Sequence, residues 1–289
     1  MSTHIPVLLN ETMEQLAIQS TDIIFEGTIG YGGHAQAIMN QLSESGHYIG
    51  TDQDHEAIRH CKQLFNQPNT SIYHSNFQEM ATLLKGRKVS KILIDLGLSS
   101  VQLDHKNRGF TFQVEANLDM RMNQKNSICA KDILNSYSAS ELELLFSEHS
   151  QIRNPKFINK LVEIRTTHPF QTTGDLIQCI KQTFYFNNRR SAYIQTLQKV
   201  FQALRIEVNK EFDSLINFLN QVPNTLTKNG RIAIITFHSG EDKRVKSFFN
   251  NYPDQFKLTT KRVIKPSANE KKRNPRSRSA KLRCYEKML

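Results

Sequence analysis

Four glycines fall within seven residues in EGTIGYGGH, Glu26 to His34, directly after the apolar run Ile23-Ile24-Phe25. A glycine-rich turn between strand and helix lets backbone N–H groups and a helix N-terminus approach a ligand closely, and such turns commonly serve nucleotides. The spacing Gly27, Gly30, Gly32, Gly33 departs from G-x-G-x-x-G, and an acid, Glu26, stands immediately before it. Twenty residues after Gly32 comes Asp52 in YIGTDQD, where a carboxylate at a strand end can accept both hydroxyls of a ribose. Glu26 would repel phosphate and suits a cationic methionine moiety. The combination implies an adenosine ligand and favours S-adenosylmethionine over NAD, the alternative being a tight structural turn.

A second carboxylate, Asp95, ends the apolar run in ILIDLGLSS, at the carboxyl edge of the expected sheet where ligands bind. An exocyclic amino group delocalises its lone pair into the ring, so an acceptor on its N–H must favour pyramidal nitrogen before it can attack a methyl sulfonium. Asp95 fits that role, or caps its loop. Methylation at carbon 5 of a pyrimidine needs a thiolate instead, commonly one that follows a proline. None of Cys61, Cys129, Cys179 and Cys284 does, which leaves an exocyclic nitrogen as the better target. The cysteines form no Cys-x-x-Cys pair, against a zinc ribbon or disulfide framework. In HEAIRH the histidines His55 and His60 are five apart instead of four and would diverge around a helix, so no metal is expected.

The elements that must position these groups are legible as rhythm. Ile23 to Glu26, His47 to Thr51, Ser71 to His74 and Lys91 to Leu96 are short apolar runs separated by helical or looped stretches, the pattern of βαβ units. Ala57, Ile58, Cys61, Leu64 and Phe65 recur at helical spacing behind Asp54, a candidate N-cap. After Leu103 the strand rhythm stops for about a hundred residues, and helical stretches such as SASELELLF, with Ser138 and Glu141 placed for a capping box, take over. A further apolar stripe from Tyr193 to Leu219 predicts one long helix ending before Pro223. Beyond Asn229-Gly230, RIAIITF reads as a buried strand, and Lys257–Ile264 with Lys281–Lys287 as a closing antiparallel edge. The expected fold is α/β, a class I (Rossmann-like) methyltransferase domain over 1–103 and 207–289, with a helical domain inserted over 104–206.

With 289 residues, 38% of them hydrophobic, the chain can bury a sizeable core, and its longest apolar runs are far below membrane-spanning length. The N-terminus lacks the basic start and apolar run of a signal peptide, so a cytoplasmic protein is expected. The net charge is +11, and twelve Lys or Arg against two acids fall between Lys257 and Lys287. That stretch reads as a contact surface for phosphates, or as a solvated tail.

The blocks HIPVLLNE, EGTIGYGGH, GTDQD, DLGLSS with QLD, RGFTF, LDMRM, FQALRIEVN, ITFHSGED and NPRSRSAKLR, in that order along essentially the whole chain, resemble the RsmH/MraW family. That family methylates the amino nitrogen of a decoding-site cytosine in small-subunit (16S) ribosomal RNA. The resemblance implies that S-adenosylmethionine contacts Gly32, Gly33, His34, Asp52, Phe77, Asp95 and Gln102, with Phe77 facing the adenine. It implies further that Arg108, Phe110, Phe112 and Arg121 hold the extruded base. Phe237, His238 and Ser239 follow a central strand, His238 with a catalytic role beside Asp95 or a hydrogen bond to the Asp95 loop. The chain departs from the family pattern at Val101 (proline), Gly240 (leucine), Ser147-Glu148-His149 (Gly-Glu-Glu) and Lys199 (arginine). The expected partner is 16S ribosomal RNA within the small ribosomal subunit; the oligomeric state is open, a homodimer included. Two other readings compete, namely methylation of a DNA base on the same fold and an RNA-binding assembly factor without turnover.

Overall fold

The computed structural model describes residues 5–99, 102, 107–187 and 189–289, so the departure at Val101 lies outside the described residues. The first four apolar runs form β1 (Ile23–Glu26), β2 (His47–Asp52), β3 (Thr70–His74) and β4 (Val89–Asp95), and the RIAIITF stretch up to Thr236 lies in β5 (Leu226–Thr236), which already begins before Asn229-Gly230. With β6 (Phe256–Leu258) and β7 (Lys281–Lys287) they make one sheet in the order β3-β2-β1-β4-β5-β7-β6. The first five strands in that order form four parallel pairs, whereas β7 runs antiparallel to both β5 and β6.

Period-two alternation divides the central strands between two apolar layers. Phe25, Ile92, Ile94, Ile232 and Ile234 pack on one face with Leu215, Phe218, Val245 and Phe249. Ile24, Leu93, Ala233 and Ile235 pack on the other with Leu16, Ala35, Ile38 and Ile58. Strands covered on both faces read as continuous apolar runs, which is why they were visible in the sequence.

The chain divides into two compact units, residues 1–97 with 212–289, and residues 98–211. The second unit builds its own core from Phe146, Phe157, Phe170, Leu176, Leu197 and Leu204, among others. Ser138 and Glu141 there exchange the two bonds of a capping box, at 3.3 and 2.6 Å.

The single helix expected from Tyr193 to Leu219 is instead two, Arg190–Asn209 and Glu211–Leu219. Lys210 stands between them at φ +49°, a left-handed conformation that ends a helix. The apolar stripe cannot register such a break, because the periodicity continues through it. Just before the break, buried Asn209 donates to the Met120 carbonyl at 2.8 Å and accepts from the Met122 amide at 2.7 Å. These bonds hold Met120 at φ +61°, unusual for a side chain without a local polar group.

The basic C-terminal stretch is folded. Lys281 and Arg283 both bond Asp242, at 2.8 and 2.7 Å, and the Lys287 ammonium donates to the carbonyls of Pro223 and Leu226 at 2.6 and 2.9 Å. Lys272, Arg273, Arg276 and Arg278 remain exposed on the short turns 268–279. Among the described residues no helix is long and apolar enough to cross a membrane.

Candidate active site

Strand order reverses between β1 and β4, and open α/β sheets bind ligands beyond the carboxyl ends of the strands at such a point. Here β2 ends at Asp52, β1 at Glu26 and β4 at Asp95, so three carboxylates share one sheet edge. The loop after β1 is tied to its neighbours strand by strand. Gly27 N–H donates to the Leu93 carbonyl (3.0 Å), Ile29 N–H to the Thr51 carbonyl (2.9 Å), and the Thr51 hydroxyl to the Gly27 carbonyl (3.0 Å). The Asp95 amide donates to the Thr28 hydroxyl at 2.7 Å. Asp52 accepts from Gly30 N–H and Asp54 N–H, both at 2.9 Å, and so anchors the loop directly.

What lies close to the glycine backbone is mostly the protein itself. A Cβ on Gly27 would sit 2.4 Å from Ile94 Cδ1 and 2.6 Å from Phe77 Cβ, and one on Gly33 2.5 Å from Pro6 Cγ. Gly32 combines φ +84° with the Phe65 ring 2.7 Å from the place of a Cβ. Only Gly30, at φ +51°, faces open space. Three of the four glycines therefore serve strand–loop packing, and one leaves room for a ligand.

Burial sets the electrostatics. The Glu26 carboxyl is pushed up to about 8 by desolvation, against the lowering effect of the Tyr48 hydroxyl, which donates to Oε2 at 2.6 Å; Asp95 and Asp52 raise it further. Asp95 is likewise raised to about 8 by desolvation and by Glu241. Asp52 reaches about 6, its desolvation partly offset by the backbone N–H groups it accepts. Glu26 Oε1 and Asp95 Oδ1 are buried without a hydrogen-bond partner. Orphaned acceptors on two of the three carboxylates at this edge suit a cationic ligand and oppose an anionic one.

The other expected residues of this unit fall around that edge. His34, in the first turn of helix Gly33–Met39, meets the Val7 carbonyl through Nε2 at 3.1 Å, so Nε2 carries its proton and Nδ1 faces Asp95 Oδ2 at 3.8 Å. Phe77 is buried in the core, edge-on to Phe218 with ring centroids 5.5 Å apart. The Phe237 ring lies 3.4 Å from the place of a Cβ on Gly97, and its amide donates to Glu241 Oε2 at 2.7 Å. His238 is the N-cap of helix Ser239–Asn250, its Nδ1 accepting from Glu241 N–H at 3.3 Å. Its Nε2 stands 3.0 Å from Glu241 Oε1, near enough for an ion pair but outside hydrogen-bond geometry. Ser239 is exposed. At Gly240, where the family pattern carries leucine, a Cβ would lie 2.8 Å from Phe212 Cζ. The phenylalanine ring fills the place of the missing side chain.

Five expected residues belong to the inserted unit, and one of them, Phe112, is half-buried edge-on to Phe201 with ring centroids 5.6 Å apart. Gln102 accepts from Ser99 N–H at 3.0 Å. Arg108 is buried and donates to the carbonyls of Arg121 and Met122 at 2.7 and 2.8 Å; the Phe110 ring, 5.5 Å below it, sits in the core. Arg121 forks onto Asp119 at 3.0 and 2.7 Å and donates to the Asn126 carbonyl at 2.6 Å. These contacts hold Asp119 below its ordinary range although its burial pushes the other way. His149, another departure from the family pattern, meets Glu207 at 3.0 Å. It is the largest influence holding that carboxyl down to about 2, ahead of Lys210 and Tyr137 and against desolvation. The sequence reading missed Tyr48 and Glu241: the first is one more apolar-looking position in a strand, and the second completes a capping box whose N-cap is a histidine.

The parallel sheet closed by an antiparallel β7, with an acidic edge at the switch point, defines a Rossmann-like methyltransferase of class I. A solved structure of a protein assigned as an rRNA-methylase from Clostridium thermocellum shares this fold, with TM-score 0.50 and 12% identity over 98% of this chain and 99% of that one. The profile of the MraW methylase family matches residues 1–288, and the chain belongs to that family. Among its relatives, ribosomal RNA small subunit methyltransferase H of Azobacteroides pseudotrichonymphae is 41% identical over 99% of this chain and 97% of that protein. The protein of the same name from Clostridium botulinum strain Loch Maree is 38% identical over 99% of both, and that from Bacteroides fragilis 37% over 98% and 97%.

Proposed function

We propose that this protein transfers a methyl group from S-adenosylmethionine to the exocyclic N4 amino group of a decoding-site cytosine in 16S ribosomal RNA. The observation that carries the reading is the acidic sheet edge of Glu26, Asp52 and Asp95 with its two orphaned, buried carboxylate oxygens. S-adenosylmethionine supplies an electrophilic methyl on a positively charged sulfur. Asp52 accepts the ribose hydroxyls. Glu26, clamped by Tyr48, and Asp95 face the cationic methionine end, where the ligand's positive charge draws both toward their ionised forms.

Ionised Asp95 then accepts the N–H of the target amino group. That bond strengthens as nitrogen pyramidalises and gains positive charge, so it acts on the transition state more than on the bound substrate. The nitrogen lone pair forms the new N–C bond, the C–S electron pair stays on sulfur, and water takes the proton released from nitrogen. His238 fixes the loop that carries Phe237, while Arg108, Phe110 and Arg121 order the segment 107–126 of the inserted unit.

The relatives' names support small-subunit ribosomal RNA as the substrate class, and the cytosine amino group rests on the family resemblance. The test is incubation of the purified protein with undermethylated small subunits and methyl-labelled cofactor, followed by nucleoside mass spectrometry. N4-methylcytidine is the expected product. Label on another nucleoside refutes the assigned atom, and label only in DNA controls refutes the RNA substrate.

A further inference from the structure

The segment between helices Thr173–Thr183 and Arg190–Asn209 carries a feature that the methyl-transfer site does not use. Phe184, in extended conformation at φ −108° and ψ 139°, packs against Phe157 with ring centroids 5.2 Å apart. Phe186 stacks on Phe184 at 6.2 Å and meets Tyr193 edge-on at 5.1 Å. Successive side chains of an extended segment point to opposite sides, so anchoring residues 184 and 186 inward drives the one between them out. Tyr185 is 91% exposed, more than any other exposed large apolar side chain among the described residues.

The chain then turns back at once. Arg189 N–H donates to the Phe186 carbonyl at 2.8 Å, with Asn187 at φ +44°, which places Arg189 and Arg190, both exposed, directly after the aromatic platform. Lys181 stands before it, its ammonium 5.9 Å from the Tyr193 ring centroid. Residues 176–206 contain five Lys or Arg and no Asp or Glu, and of these Arg205 is paired with Glu211. An exposed aromatic face with Lys181, Arg189 and Arg190 close to it in the chain suits a partner with flat π-faces on a polyanionic chain. A protein partner would instead call for a contiguous apolar patch, and Tyr185 stands alone between rings that face inward.

We infer that Tyr185 stacks on an unpaired nucleobase of the RNA substrate while Arg189, Arg190 and Lys181 hold the adjoining phosphates. This extends the proposed RNA substrate to a particular surface of the inserted unit and rests on that reading. The stacked ring holds a base other than the one that reacts, so Tyr185 is a positioning residue.

The chain has no tryptophan, so Tyr185→Trp installs a single indole reporter at an exposed position while keeping a π-face. A single-stranded oligoribonucleotide spanning the decoding-site cytosine should quench its emission saturably and shield it from acrylamide. Tyr185→Ala should weaken RNA binding between roughly 5-fold and 100-fold, as expected for one base–aromatic stack, while Tyr185→Phe retains it and cofactor affinity stays unchanged in both. Neutralising Arg189 and Arg190 should flatten the salt dependence by about one to two units of slope.

An indole that stays equally accessible in the RNA-saturated protein overturns the inference, as does an Ala variant that binds like wild type. Shielding that grows with protein concentration in the absence of RNA overturns it too and marks a self-association surface. Filter retention of the oligoribonucleotide by the wild-type chain separates the two levels. If wild type binds and the reporter is silent, only the stacking role falls, whereas a wild type that binds no RNA removes the substrate reading along with it.

Discussion

Replacing Asp95 with Asn tests whether the acidic edge recognises positive charge. The folded-state value of Asp95 is about 8 against an ordinary 3.8, so at pH 7 only about a tenth of the unliganded protein carries the ionised form. That shift corresponds to an ionisation cost of at most roughly 6 kcal/mol, an upper bound because the side chain is 21% exposed. A sulfonium about 4 Å away, at an effective dielectric constant near 20, returns about 4 kcal/mol, roughly three pK units. The liganded value then falls to about 5, and Asp95 by itself expels about one proton on binding at pH 7, with Glu26 adding to the count. Affinity for S-adenosylmethionine should therefore rise at least about tenfold from pH 6 to pH 7, rise less from 7 to 8, and level off above 8. S-adenosylhomocysteine, which lacks the sulfonium charge, should show a shallower slope. Calorimetry in two buffers of different ionisation enthalpy counts the proton directly. In Asp95→Asn the count should fall by about one, the slope should flatten, and single-turnover methyl transfer should slow by roughly 10² to 10³. An unchanged proton count in a folded D95N variant would refute the placement of the charge beside Asp95.

Glu26→Gln should make stability less dependent on pH: folded Glu26 keeps its proton up to about pH 8 while the unfolded chain loses it near 4.5, so wild type loses stability as pH rises through that window. The loss is about 1.4 kcal/mol per pH unit and at most roughly 5 kcal/mol in total, and urea titrations of both proteins from pH 5 to 9 should show their difference growing in favour of E26Q. Neutralising Lys271, Lys272, Arg273, Arg276 and Arg278 should flatten the salt dependence of RNA binding by up to roughly three units without unfolding the protein. Arg283→Gln, which strips Asp242 of one of its two cations, should instead lower the melting temperature; equal effects of the two changes would erase the distinction between surface and structural charge.

The sequence by itself determined the strands, because the runs Ile24-Phe25, Ile92 to Ile94 and Ile232 to Ile235 of β1, β4 and β5 are buried on both faces and must be apolar. It also determined the carboxylates that end them, since Asp52 and Asp95 interrupt those runs at a polar boundary that burial would otherwise forbid. Asp54 and the Ser138–Glu141 pair were legible for a related reason: capping is local, and the bonds Asp54 accepts from Glu56 and Ser138 exchanges with Glu141 span at most three residues. Tertiary structure alone decided what depends on contacts far apart in the chain. The helix break at Lys210 stands beside an asparagine that clamps Met120 and Met122 from 89 and 87 positions away, and no local pattern encodes that. The glycines after β1 are explained by Ile94, Phe77, Phe65 and Pro6 arriving from other elements. The protonation of Glu26 and Asp95 likewise follows from desolvation, with Asp95 and Asp52 repelling charge on Glu26 and Glu241 repelling it on Asp95, quantities that exist only once the fold has brought those residues together.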